Sequence, residues 1–97
     1  MEIKSTAVAG TLESSDIQIM ISKGTSDIQI DLESDVKKEF GKQINQVISS
    51  TLQKMGITAA KVKAVDKGAL DCVIKARTIA AAQRATKTTD KPAWEVL

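Results

Sequence analysis

The spacing of apolar residues in this chain switches between two periods, and that limits the folds open to it. Ile17, Ile19 and Ile21 alternate with Gln18 and Met20, which puts three isoleucines on one face of a strand. Ile28, Ile30 and Leu32 repeat the pattern after Lys23-Gly24-Thr25-Ser26, a glycine-containing connection of hairpin length. The pentapeptide Ser-Asp-Ile-Gln-Ile occurs at both 15–19 and 26–30. The similarity stops there, so the chain is no repeat protein. It predicts two strands of one hairpin showing the same face to one core.

The period then lengthens to 3.6. Val36, Phe40, Ile44, Val47, Ile48, Leu52 and Met55 recur mostly at spacings of four and three, one stripe of an amphipathic helix. Ser34 and Asp35 offer its N-cap, and Gly56 suits the position just past its end. Gly41 inside it costs about 1 kcal/mol relative to alanine and points to close packing or a ligand approach. Alternation returns over Thr58 to Val65, with Ala60, Val62 and Ala64 inward and Lys61 and Lys63 outward.

After the turn Asp66-Lys67-Gly68, with Asp66 able to cap the next element, residues 69–78 fit either of two patterns. As a helix, Leu70, Val73, Ile74, Arg77 and Ala81 share a face. As a strand, Leu70, Cys72, Ile74 and Ala76 alternate with Asp71, Val73, Lys75 and Arg77. Helix is favoured, because the stretch from Ala69 to Thr86 is too long for a usual strand and its alanine-rich half is poor sheet material. The expectation is an α+β fold, one domain over residues 1–97, in the order β-β-β-α-β-α. About four mainly antiparallel strands carry two helices on one face. If the strands flanking the long helix are parallel neighbours, a right-handed crossover joins them. Residues 1–9 and 87–97 read as flexible or edge segments, with Trp94 self-docked or disordered in the second.

Composition excludes several kinds of work. With Phe40 and Trp94 the only aromatics and a net charge of +2, there is neither a basic stripe nor a stacking platform for nucleic acid. No apolar run is long enough for a membrane span or a signal peptide, and the expected address is the cytoplasm. The chain has no histidine, which removes Ser-His and Cys-His nucleophile pairs and the usual zinc sites. No convergent carboxylates or lysines replace them, so neither catalytic residues nor metal ligands are expected. Cys72, the lone cysteine, cannot form an internal disulfide and reads as a small buried hydrophobe.

Gly10-Thr11-Leu12-Glu13-Ser14-Ser15-Asp16 is turn chemistry: a glycine that tolerates positive φ, then small residues that hydrogen-bond nearby backbone. With Ala7-Val8-Ala9 before it, the segment resembles the attachment site of the citrate lyase acyl carrier protein family, the γ chain of that complex. Asp66-Lys67-Gly68-Ala69-Leu70-Asp71-Cys72 through Ala76-Arg77 and a closing Trp94-Glu95 carry the same resemblance, which spans nearly the whole chain.

The resemblance implies a non-catalytic carrier. Ser14, rather than its neighbour Ser15, would hold a phosphodiester-linked 2'-(5''-phosphoribosyl)-3'-dephospho-CoA, attached by a separate prosthetic-group transferase and missing from a chain made without that enzyme. The thiol of that group would hold acetyl and citryl thioesters while an α chain (acyl transferase) and a β chain (citryl lyase) convert citrate to oxaloacetate and acetate. Glu13 and Asp16 would orient the modifying enzyme or serve as turn residues only. Lysines 37, 38, 61, 63 and 67 would steer the anionic group or simply be solvated.

The Asp-Ser-Leu motif of ordinary acyl carriers is missing, and the surroundings of Lys23-Gly24 do not match biotinyl or lipoyl carriers. Alternatives are a malonate decarboxylase-type carrier and an unmodified adaptor or structural subunit.

Overall fold

The computed structural model describes residues 3–34 and 37–87. Its elements are β1 (Ala7–Ala9), β2 (Ile17–Lys23), β3 (Ile28–Ser34), α1 (Lys37–Lys54), β4 (Ala60–Asp66) and α2 (Asp71–Thr86). The expected order and the α+β class both hold, including the helical reading of residues 71–86. Asp35, Val36 and Trp94 lie outside the described residues.

The sheet runs β1-β2-β4-β3. Pairing is antiparallel between β1 and β2 and between β2 and β4, and parallel between β3 and β4. The sheet is therefore mixed, and α1 is the crossover between the parallel strands. This corrects one expectation: β2 and β3 do not pair as a hairpin, because β4 lies between them. Gly24 shows how the connection passes the start of β4. A Cβ at Gly24 would come within 2.8 Å of Ala60 Cα, and the Ala60 N–H donates to the Asp27 carbonyl at 3.1 Å. The glycine serves a close backbone approach rather than a tight hairpin turn.

Both helices cover the same face, α1 against β3 and α2 against β1 and β2. The alternating isoleucines supply the floor of the core: Ile17, Ile19 and Ile21 are fully buried, together with Ile48, Leu52, Ile57 and Ile74. Each such side chain contributes roughly 1.5–3 kcal/mol by leaving water. The α1 stripe is buried at Ile44, Ile48, Leu52 and Met55, but Phe40, expected inward, is 48% exposed.

Helix α2 presents a different face from the expected one. Ile74 and Ala81 are buried as predicted, but Leu70 is 71% exposed and stands at the N-cap without a side-chain hydrogen bond. Thr78, Ile79, Ala82, Ala85 and Thr86 complete the inner face. Small residues let the helix lie close to the sheet. The buried hydroxyls of Thr78 and Thr86 donate to the carbonyls of Ile74 and Ala82, at 2.7 and 2.8 Å, so they enter the core already satisfied. Cys72 is exposed, contrary to the expectation, since the second residue of α2 lies off this face. Among the described residues no helix is long and apolar enough to cross a membrane.

Candidate functional site

Residues 10–16 form the loop between β1 and β2, at the edge of the sheet. Gly10 begins it with φ +90°, and a Cβ there would collide with the Ile17 carbonyl oxygen. Only glycine lets the chain leave β1 so close to the incoming strand.

The loop closes on Asp16. The Thr11 backbone N–H and hydroxyl donate to its Oδ2 at 3.1 and 2.7 Å, and the Ile17 N–H donates to Oδ1 at 2.7 Å. Arg77, reaching from α2, donates through Nε to Oδ1 at 3.0 Å and through Nη2 to Oδ2 at 3.2 Å. Such a two-pronged guanidinium–carboxylate contact fixes orientation as well as position. It is the one ion pair among the described residues. The Thr11 hydroxyl also accepts the Glu13 N–H at 3.2 Å, so each end of the loop is tied to the other.

These donors favour the charged form of Asp16. The Thr11 hydroxyl first, then Arg77 and the Ile17 N–H, hold its carboxyl well below the usual carboxylate range, and burial opposes them more weakly. Asp16 thus acts inward, as the clamp of the loop. Glu13 stays exposed.

Between these ties lie the two serines. The Asp16 N–H donates to the Glu13 carbonyl at 3.2 Å, closing a turn with Ser14 and Ser15 at its centre. Ser15 has φ +66°, the left-handed conformation a type II turn requires at that position. The turn is pinned from outside as well: the Ser15 N–H donates to the Lys67 carbonyl at 2.7 Å, and the Lys67 N–H donates to the Asp16 carbonyl at 2.9 Å.

Lys67 is itself held by Asp66, which does not cap α2 as expected. Its buried carboxylate accepts the Ala69 N–H at 3.0 Å and the Ser34 hydroxyl at 2.9 Å, bracing the 67–69 turn behind the serines. Ser14 and Ser15 are both exposed, and among the described residues neither hydroxyl has a hydrogen-bond partner. The backbone is fixed while the hydroxyls face solvent.

Sequence reasoning found this loop but missed its partners. Arg77 appeared as a member of a helix or strand face and within the segment that carries the resemblance, but not as a partner of the loop. Cys72 lies on α2, outside the residues that build the loop.

The model of the family described as malonate decarboxylase delta subunit (MdcD) matches residues 4–85. Among curated proteins, the citrate lyase acyl carrier protein of Lactobacillus helveticus (strain DPC 4571) is 74% identical over the full length of both chains. That of Lactiplantibacillus plantarum (strain ATCC BAA-793 / NCIMB 8826 / WCFS1) is 73% identical, also over both full lengths. Among solved structures, a chain of a Pseudomonas malonate decarboxylase hetero-tetramer in complex with malonate has the same fold, with a TM-score of 0.63 and 16% identity over 88% of each chain. An exposed serine turn on a clamped loop, in a chain that matches from end to end, points one way: this chain belongs to the citrate lyase acyl carrier protein family.

Proposed function

We propose that the chain is the acyl carrier subunit of a citrate lyase, and that Ser14 is the residue to which a phosphoribosyl-dephospho-CoA group is joined by a phosphodiester. The carrying observation is the exposed Ser14 hydroxyl at the centre of a turn whose backbone is held on both sides. A phosphate can join that oxygen without displacing a hydrogen bond among the described residues. The loop holds no histidine, its aspartate is engaged by Thr11 and Arg77, and its remaining carboxylate, Glu13, is exposed; activation of the hydroxyl is assigned to the transferase.

When bound, the group supplies a terminal thiol that takes up and releases acyl groups as thioesters. The protein's own contribution is a fixed, solvent-facing base. Tethering there makes each handover to α and β partner chains effectively intramolecular, at an effective concentration in the millimolar range for a short flexible arm. The outcome is cleavage of citrate to oxaloacetate and acetate by the partners, with this chain as a non-catalytic subunit.

Intact mass after co-expression with the transferase tests the assignment. The expected result is an adduct heavier than phosphopantetheine that is lost in Ser14→Ala and kept in Ser15→Ala. Geometry treats the two hydroxyls alike, so Ser15 rests on that comparison. An unmodified wild-type mass with a competent transferase overturns the assignment in favour of an unmodified adaptor. Cys72→Ala is expected to load normally, because Cys72 contributes nothing to the loop.

A malonate decarboxylase-type carrier has the family model's description and the shared fold in its favour. Identities of 57–74% to citrate lyase carriers over nearly the whole chain favour the citrate reading.

A further inference from the structure

Two hollows of opposite character meet the 66–68 turn that pins the Ser14 loop. On the helix side, Phe40, Ile44, Ala69, Leu70 and Ile74 line an apolar groove of about 410 Å³ whose charged members are Asp66 and Asp71. Those carboxylates repel phosphate. On the other side, the sheet face left uncovered by the helices carries a trough of about 280 Å³. It begins at Leu12, two residues before Ser14, and has Met20, Lys63 and Lys67 along it and Glu33 as its one carboxylate. A second hollow of about 280 Å³ continues along the same face, sharing Met20 and Lys63 and adding Lys61 and Asp31.

We infer that this trough seats the phosphate-bearing part of the group tethered at Ser14, with Lys63 and Lys67 as its cationic contacts and Leu12 at its mouth. The inference rests on the Ser14 reading above. Three observations carry it. The trough is continuous with the loop, because Leu12 belongs to both and the Lys67 backbone is bonded to Ser15 and Asp16. Neither lysine has a carboxylate within ion-pair distance among the described residues, where the sole such pair is Arg77–Asp16. Lys63 lies on β4, flanked by Met20 on one side and Asp31 on the other, so a rigid strand holds it.

Exposed lysine–phosphate contacts are individually weak, each shifting the docked-to-undocked ratio by about twofold to fivefold. A tether makes that sufficient, because the ligand never leaves the neighbourhood. Docking of this kind would keep the reactive arm against its own carrier between visits to the partners.

The test compares backbone amide spectra of unmodified and modified wild-type protein, with loading verified by mass. Shifts are expected at Met20, Lys63, Val65 and Lys67 as well as in residues 10–16. Raising the salt to about 1 M, where the screening length falls to about 3 Å, is expected to return the sheet-face signals toward their unmodified positions. Lys63→Gln and Lys67→Gln are each expected to do so in part, and the salt series decides the matter if either variant loads poorly. Shifts confined to residues 10–16, or appearing at Phe40, Leu70 and Ile74 instead, overturn the inference while leaving Ser14 as the attachment point. An unmodified mass overturns both.

Discussion

Ser-Asp-Ile-Gln-Ile begins the strand on either side of β4, at residues 15–19 and again at 26–30. In the first copy Ile17 and Ile19 are fully buried and Asp16 is held by Arg77, Thr11 and Ile17. In the second, Ile28 and Ile30 are half-buried and Asp27 is exposed. One copy pairs antiparallel with β4 from inside the sheet, the other parallel from its edge. Both copies pair with β4, but only in the first is the aspartate side chain clamped, by Thr11 within the loop and by Arg77, 61 residues away in the chain.

Truncating one isoleucine in each copy should produce the largest contrast. Ile19→Ala is expected to lower unfolding stability by about 2–5 kcal/mol, the range for buried large-to-small changes. Ile30→Ala should cost about half of that or less, since its side chain already meets water. Chemical denaturation reads both, and equal losses would break the comparison.

The aspartates come next. Asp16→Asn keeps the shape but leaves Arg77 without its charge partner, and a loss of about 1–3 kcal/mol is expected. Faster amide exchange at Thr11 and Ser15 should accompany it. Asp27→Asn, on an exposed side chain, should change stability by no more than about 0.5 kcal/mol.

The Asp16 contrast also depends on pH. Asp16 has a carboxyl pKa lowered by folding, so its stabilisation is complete above the unfolded carboxylate range near 3.9 and is lost as pH falls below it toward the folded value. The gap between wild type and Asp16→Asn should therefore hold steady above about pH 5 and narrow progressively as pH falls below about 4 toward the folded value. A gap that persists unchanged into strong acid would rule out the carboxylate charge as its source.

Legibility in the sequence divides along the same line. Periodicity carries information about which face of an element is apolar, so the buried isoleucines, the stripe from Ile44 to Met55 and the inward alanines of β4 were all legible. It carries none about which strand lies beside which. The inserted position of β4 was hidden for that reason, although Gly24 marks the crossing. Leu70 and Cys72 were misplaced because α2 begins at Asp71 and buries a face rich in threonine and alanine, residues that hydrophobicity reasoning undervalues. Phe40 was misplaced because no described residue fills the groove beside Leu70. In the site, the turn was readable from Gly10 and the serines, whereas the clamp depends on Arg77 and on the Lys67 backbone, both brought there by tertiary contact.

The double pinning of the serine turn has a mechanical consequence. Strand β1 has only three residues, and a hinge at its end would let anything fastened to the loop wander. With Arg77 and Lys67 tying the turn to α2 and β4, the turn becomes a pivot of known location. On the proposed reading, an appendage on Ser14 would sweep a volume defined by its own length, and the sites it serves would have to lie within that radius of a single fixed point.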